Sequence, residues 1–324
     1  MNSRSTTRPL VEGAFLAALA ALLALVGIYL PLLSGLVDLI WTIPLIVLVV
    51  RQDLRLGILS LLVSGLLILM FSDPLRAIFL LLQFGAVGLF YGVAFKRRLM
   101  PGLALLVGVA IAIVSMAAVM WIGFLMTGLS WTDIQQQIQA NVNPTIEFYR
   151  RLGLLQVYAN QGISEEMLRQ MTVQMVNLLL RLLPGMLITG AAMAAVVNYF
   201  AAYAVLKRVR IPVAKVASFR EWQLPWYLTW GVILGFAAWL GGDYLKATWL
   251  VTIGQNILVI YAPFLLVFGL SVVTYYYQTS RIPKLAKYGL LIVAVLYLRV
   301  TVMMLIFLGL FDPLFDYRKL RRQS

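Results

Sequence analysis

EGAFLAALAALLALVGIYLP, residues 12–31, decides the fold class. Between Glu12 and Pro31 no side chain carries a charge, and Ala, Leu, Val and Ile fill most positions. A transmembrane helix needs about 20 such residues in a row. A surface helix of a soluble protein would show a polar face over the same length. Similar runs recur at 36–50, 54–71, 75–95, 102–127, 171–206, 226–240, 249–277 and 287–311. Pro31, Pro74, Pro101, Pro212, Pro225, Gly241-Gly242 and Pro283 punctuate them. The runs at 36–50 and 226–240 are short, which suits tilted or broken helices.

Composition agrees. The 324 residues are 62% hydrophobic and 12% charged, with a mean hydropathy of +0.93. A soluble domain carries about 25% charged residues. The expectation is an all-α, polytopic transmembrane helix bundle of about eight to ten spans, a single integral membrane domain over residues 1–324. Five N-terminal spans lie in 10–127 and an extracytoplasmic amphipathic connector in 128–170. The C-terminal spans lie in 171–311, and 312–324 is a basic cytoplasmic tail. Arg4 and Arg8 before the first run mimic a signal peptide, but no clear small-x-small cleavage site with a polar mature chain follows, so an uncleaved first span is expected.

Function classes fall away with the residue inventory. There is no cysteine and no histidine. Disulfides, Cys/His zinc sites, thiol nucleophiles and histidine general bases are excluded. No Walker A sequence is present, so the chain brings no nucleotide motor. Gly241-Gly242-Asp243 is only superficially like an intramembrane aspartyl protease motif, because Leu240 stands where its first glycine would be. Neither an enzyme nor a cofactor is expected.

Lys and Arg number 26 against 12 Asp and Glu, a net charge of +14. Most of the basic residues cluster in short loops between apolar runs, where lipid headgroups and not nucleic acid are the partner. With the N-terminus in the cytoplasm of a bacterial plasma membrane, Arg51/Arg55, Lys96-Arg97-Arg98, the loop from Lys207 to Arg220 and Arg281/Lys284/Lys287 all fall inside. Asp38, Asp73, Asp133, Glu165, Glu166 and Asp243 fall outside. Arg299 interrupts the last run, and a charge at the bilayer centre costs about 2.5–3.5 kcal/mol on insertion scales. A fold-back at Leu298–Arg299 keeps Arg299 shallow. It also returns Arg318, Lys319, Arg321 and Arg322 to the cytoplasm.

In the connector, Ser130 and Thr132 are N-cap candidates, with Thr132 and Gln135 as a capping box, and Asn143-Pro144 ends the first helix. A second piece follows over 145–155, and Ser164 caps the next span. The connector is either an interfacial element or a lid over a cavity.

Polar groups inside apolar runs are the candidate site. Gln83, Asn198 and Gln255 suit interhelical hydrogen bonds. Asn177 and Arg181 share one helical face before Pro184-Gly185. Arg181 either pairs with an acid such as Asp38 or Asp243, or holds a ligand carboxylate or phosphate. Asp38, Trp41, Asn177, Arg181, Asn256 and Arg299 are the substrate-binding candidates. Ala14, Ala17, Ala18 and Ala21 form small-xxx-small pairs that permit close helix approach, within this chain or to a partner.

Two stretches carry a family resemblance. Glu12-Gly13-Ala14 through Tyr29-Leu30-Pro31 resembles the start of the S-components of energy-coupling-factor (ECF) vitamin transporters. That resemblance implies an S-component-like first half. It makes Ala14, Ala17, Ala18 and Ala21 a dock for an ECF-type coupling subunit with its ATPases, and residues 31–38 a substrate cover. Over nearly its full length the chain resembles the YybS-like bacterial membrane proteins. The residues that carry this are Gly309-Leu310-Phe311-Asp312-Pro313-Leu314-Phe315-Asp316-Tyr317-Arg318-Lys319, Arg181-Leu182-Leu183-Pro184 and Asn198-Tyr199. The function expected is capture or transport of a small molecule, energised by a separate partner; the alternative is a membrane scaffold or assembly factor.

Overall fold

The computed structural model describes residues 4–281 and 283–319. Arg321 and Arg322 of the tail lie outside the described residues, as do the side chains of Arg4 and Lys284. Every regular element is helical among the described residues. Among the described residues, eight helical segments are long and apolar enough to cross a membrane. The chain divides into two compact units, Met1–Gly128 with Gly190–Val216, and Leu129–Thr189 with Ala217–Ser324.

The first unit opens with α1 (Arg4–Tyr29), α2 (Pro31–Ile40), α3 (Ile43–Arg51) and α4 (Leu54–Phe71). Next come α5 (Pro74–Leu80), a π-helical turn Leu81–Gly85, α6 (Ala86–Lys96) and α7 (Pro101–Thr127). Asp53 and Asp73 cap the starts of α4 and α5, each taking backbone N–H groups that have no partner within the helix. Pro31, Pro74 and Pro101 occupy first-turn positions, where a missing N–H costs nothing. The short run at 36–50 is broken: α2 and α3 part at Trp41–Thr42.

Lys96 donates to the Gln52 carbonyl, joining two basic turns at one end of this unit. At the far end Tyr29 donates to the Phe71 carbonyl. The core holds an aromatic stack, with ring centroids 4.8 Å apart for Phe95–Tyr199 and 5.3 Å for Tyr91–Tyr199. The Tyr91 hydroxyl donates to the Ala195 carbonyl at 3.0 Å.

The connector forms α8 (Trp131–Ala140), α9 (Val142–Arg151) and α10 (Leu154–Asn160), followed by α11 (Glu165–Arg208). The capping box of α8 is Ser130 with Asp133, not Thr132 with Gln135. The Ser130 hydroxyl and backbone N–H hold the Asp133 carboxyl below the usual carboxylate range. Asn143-Pro144 begins α9 instead of ending α8, because proline fits a first turn. Ser164 caps α11 as expected. At 44 residues α11 is about 66 Å long, twice the roughly 30 Å hydrocarbon thickness. Arg150 to Glu165, Arg169 to Asn143 and Gln139 to Asn177 tie the connector to its first turns.

The rest of the second unit is α12 (Thr229–Tyr244), α13 (Thr248–Thr279), α14 (Lys284–Leu296) and α15 (Leu298–Phe315). Gly309 of α15 backs onto Leu265 and Gly269 of α13. Eight residues further on, the Tyr317 carbonyl accepts from the Tyr276 hydroxyl at 2.9 Å. The two helices therefore run parallel. Lys287 in the first turn of α14 bonds the Tyr277 and Ser280 carbonyls. So α14 leaves from the end of α13 to which α15 returns, and the pair is a hairpin. Its break is at Tyr297, beside the expected position.

Candidate functional site

The break in the second span creates the site. In an unbroken helix the Leu39 carbonyl would accept from the residue-43 N–H. At the break the Asn198 side chain from α11 takes over. Its Nδ2 donates to the Leu39 carbonyl at 2.6 Å and to Thr42 Oγ1 at 2.8 Å. Two acceptors on one side fix the nitrogen of that amide. The oxygen therefore points the other way, and Asn198 Oδ1 has no partner although the residue is 2% exposed.

Asn198 lines a small cavity with Gln83, Phe84, Val87, Ala112, Ala191 and Ala195. Gln83 lies in the π-helical turn, a feature that gathers at functional sites. Its amide bonds no other described residue. The space open to a water-sized centre is about 10 Å³, close to what one water molecule requires. From the sequence, Gln83 and Asn198 suit interhelical hydrogen bonds first and a cavity second; the structure puts both on one cavity. The signal that pairs Asn198 with a cavity is its spacing from Ala191, Ala194 and Ala195, which puts small residues on one face of α11.

The six substrate-binding candidates are divided between the two units. Asp38 and Trp41 belong to the first unit; Asn177, Arg181, Asn256 and Arg299 belong to the second. Asp38 is half-buried beside Gly27. Trp41 is wholly buried among Ala20, Ala21, Ala24, Leu45 and Ile68, a core residue and not the wall of this cavity. Its indole Nε1 has no partner. Asn177 is exposed and accepts from Gln139. Arg181 is exposed and forms no ion pair among the described residues, with Asp243 or otherwise. Arg299 is exposed on the first turn of α15.

Asn256 has a different task from the expected one. Pro184 lacks the N–H that would reach the Leu180 carbonyl, so α11 is loosened there. Asn256 Oδ1 accepts from the Gly185 N–H at 2.6 Å, and its Nδ2 donates to the Arg181 carbonyl at 2.9 Å and to Thr252 at 2.8 Å. Both of its amide protons are thus spent on backbone.

The alanine strip is also divided. Ala17 and Ala21 are buried under the neighbouring helices of their own unit, with Ala20 and Ala24, whereas Ala14 and Ala18 are exposed. Small residues let helices close up in lipid, and half of this strip is consumed inside the chain.

A buried polar cluster forms around Arg318, in the segment expected to be a basic tail. Arg318 is buried, not a solvated cytoplasmic cation. Its Nε and Nη2 grip the Asp312 carboxylate, and its remaining protons reach the Arg220 carbonyl, Ser271 Oγ and the Trp222 carbonyl. A guanidinium has five N–H donors, and all are used. Gln223 adds a bond to Asp312. The cluster has no donor left for a ligand.

Comparison with known proteins gives the same picture of a membrane protein. A family described as predicted membrane protein (DUF2232) matches residues 18–313. "Uncharacterized protein YybS" of Bacillus subtilis (strain 168) is 24% identical over 285 residues, covering 86% of this chain and 88% of that protein. No solved structure matches. The family match spans elements of both units, from α1 to Asp312-Pro313 near the end of α15, and the chain belongs to the DUF2232 family of predicted membrane proteins.

Proposed function

We propose that this integral membrane protein captures or moves a small solute through its first unit. The observation that carries the reading is the broken second span, whose freed carbonyl is closed by Asn198, a residue that lines a cavity and whose Oδ1 is left without a partner. Breaks of this kind inside lipid are tolerated where the backbone lines a cavity or is covered by protein, and transporters place ligands at them. A solute bound more tightly in one of two states would shift the protein between them. The chain has no nucleotide motif, so energy comes from a separate partner. An ECF-type coupling subunit with ATPases fits that need, and the open residues for it on α1 are Ala14 and Ala18 with Val11 and Phe15. The pattern of basic turns supports a plasma-membrane protein with both termini in the cytoplasm.

One observation favours the scaffold reading: in the second unit Arg318 and Asn256 spend their donors on structure. The two readings separate in a binding assay. Purified protein in nanodiscs is incubated with a small-molecule cell extract and washed, and the retained compounds are identified by mass spectrometry. Saturable retention that Gln83→Leu weakens supports solute handling; no saturable retention retires it.

A further inference from the structure

We propose that the Gln83–Asn198 cavity binds a neutral hydroxyl group, which donates its proton to Asn198 Oδ1 and accepts from the Gln83 amide. This names the ligand chemistry of the site above and rests on that reading of it. Two observations set the class. A buried acceptor without a partner calls for a donor, and Asn198 Oδ1 is such an acceptor. The second polar group, Gln83, carries both an acceptor and donors and bonds nothing else among the described residues. A hydroxyl, unlike an ammonium or a carboxylate, can donate to one amide and accept from the other.

The lining decides charge. Apart from the two amides it is Phe84, Val87 and alanine, with no acid and no base. An ion placed there would lose its hydration with nothing of opposite sign to replace it. Two amide oxygens are also too few for a metal cation, which takes about six oxygen ligands. Size decides reach. About 10 Å³ admits one water-sized group and no more. The hydroxyl therefore belongs either to a water molecule or to the tip of a neutral polyol or alcohol entering from the open side.

The test is a cryo-EM map of the full chain in nanodiscs at a resolution that shows ordered water, with and without added glycerol as the probe. The expected result is a peak within hydrogen-bonding distance of both Asn198 Oδ1 and the Gln83 amide. An isolated peak unchanged by glycerol assigns water; density that grows outward with glycerol assigns a solute hydroxyl. Ala194→Leu, which narrows the cavity without touching the Asn198 bonds, is expected to remove the peak while the chain stays monodisperse. An empty cavity in wild type, or an Asn198 Oδ1 paired to protein, overturns the proposal. A dry cavity with saturable solute retention moves the solute elsewhere and leaves transport standing. A bound water without any retained solute does the reverse.

Discussion

Arg318 closes on Asp312 with Nη2 2.7 Å from Oδ2 and Nε 3.3 Å from Oδ1, and both side chains are shut away from solvent. The pair ties the end of α15 to the loop at Phe219–Gln223 and to Ser271 of α13. Removing one member of a buried ion pair strands the other and costs roughly 3–5 kcal/mol. Arg318→Ala is therefore expected to lower the thermal midpoint in detergent sharply. Arg318→Lys should rescue little, because an ammonium has three donors where five are in use. Wild-type melting of Arg318→Ala would refute the clamp.

Asn256 bridges Gly185 and Arg181 across the weak point left by Pro184. Asn256→Leu leaves that backbone pair without its bridge, at about 1–3 kcal/mol. Gly185→Val puts a Cβ 2.7 Å from Asn256 Oδ1 and 3.0 Å from its carbonyl oxygen. Both variants are expected to melt earlier, and combined they should lose less than the sum of the two. Strict additivity would show that the two residues do not act together.

α13 and α15 meet through glycine. A Cβ at Gly309 would lie 2.0 Å from the Leu265 carbonyl oxygen, and one at Gly269 would lie 1.8 Å from that of Leu305. These neighbours are backbone and cannot rotate away. Gly309→Ala is expected to cost about 1–3 kcal/mol, whereas Gly289→Ala, with nothing within 4 Å, is expected to be neutral or mildly stabilising. Equal melting of the two variants would contradict the packing.

The hairpin was legible in the sequence because Arg299 sits in the middle of an apolar run, where a single helix would strand it. The break at Trp41–Thr42 was half legible from the shortness of the second run. Other features depend on distant partners and left no local mark. Arg318 stands among basic neighbours that look solvated; its burial depends on Asp312, on Ser271 far upstream and on loop carbonyls. Small-residue spacing told that α1 packs closely, but not that Ala17 and Ala21 face their own unit. Gln83 and Asn198 were visible as polar residues in lipid, yet only folding brings both to one cavity.

The absence of cysteine allows single-cysteine topology mapping. Ser280→Cys and Lys319→Cys are expected to react with an impermeant maleimide from the cytoplasmic side, and Ala159→Cys from the opposite side. Labelling of residues 280 and 319 from different sides would rule out the α14–α15 hairpin.

Native mass spectrometry of the protein, extracted gently from its own membrane, tests solute handling most directly. The account predicts a reproducible neutral small-molecule adduct, lost in Ala194→Leu, or a co-purifying coupling subunit with its ATPases. A bare chain, or one accompanied only by lipid and unrelated membrane proteins, would contradict it and favour the scaffold.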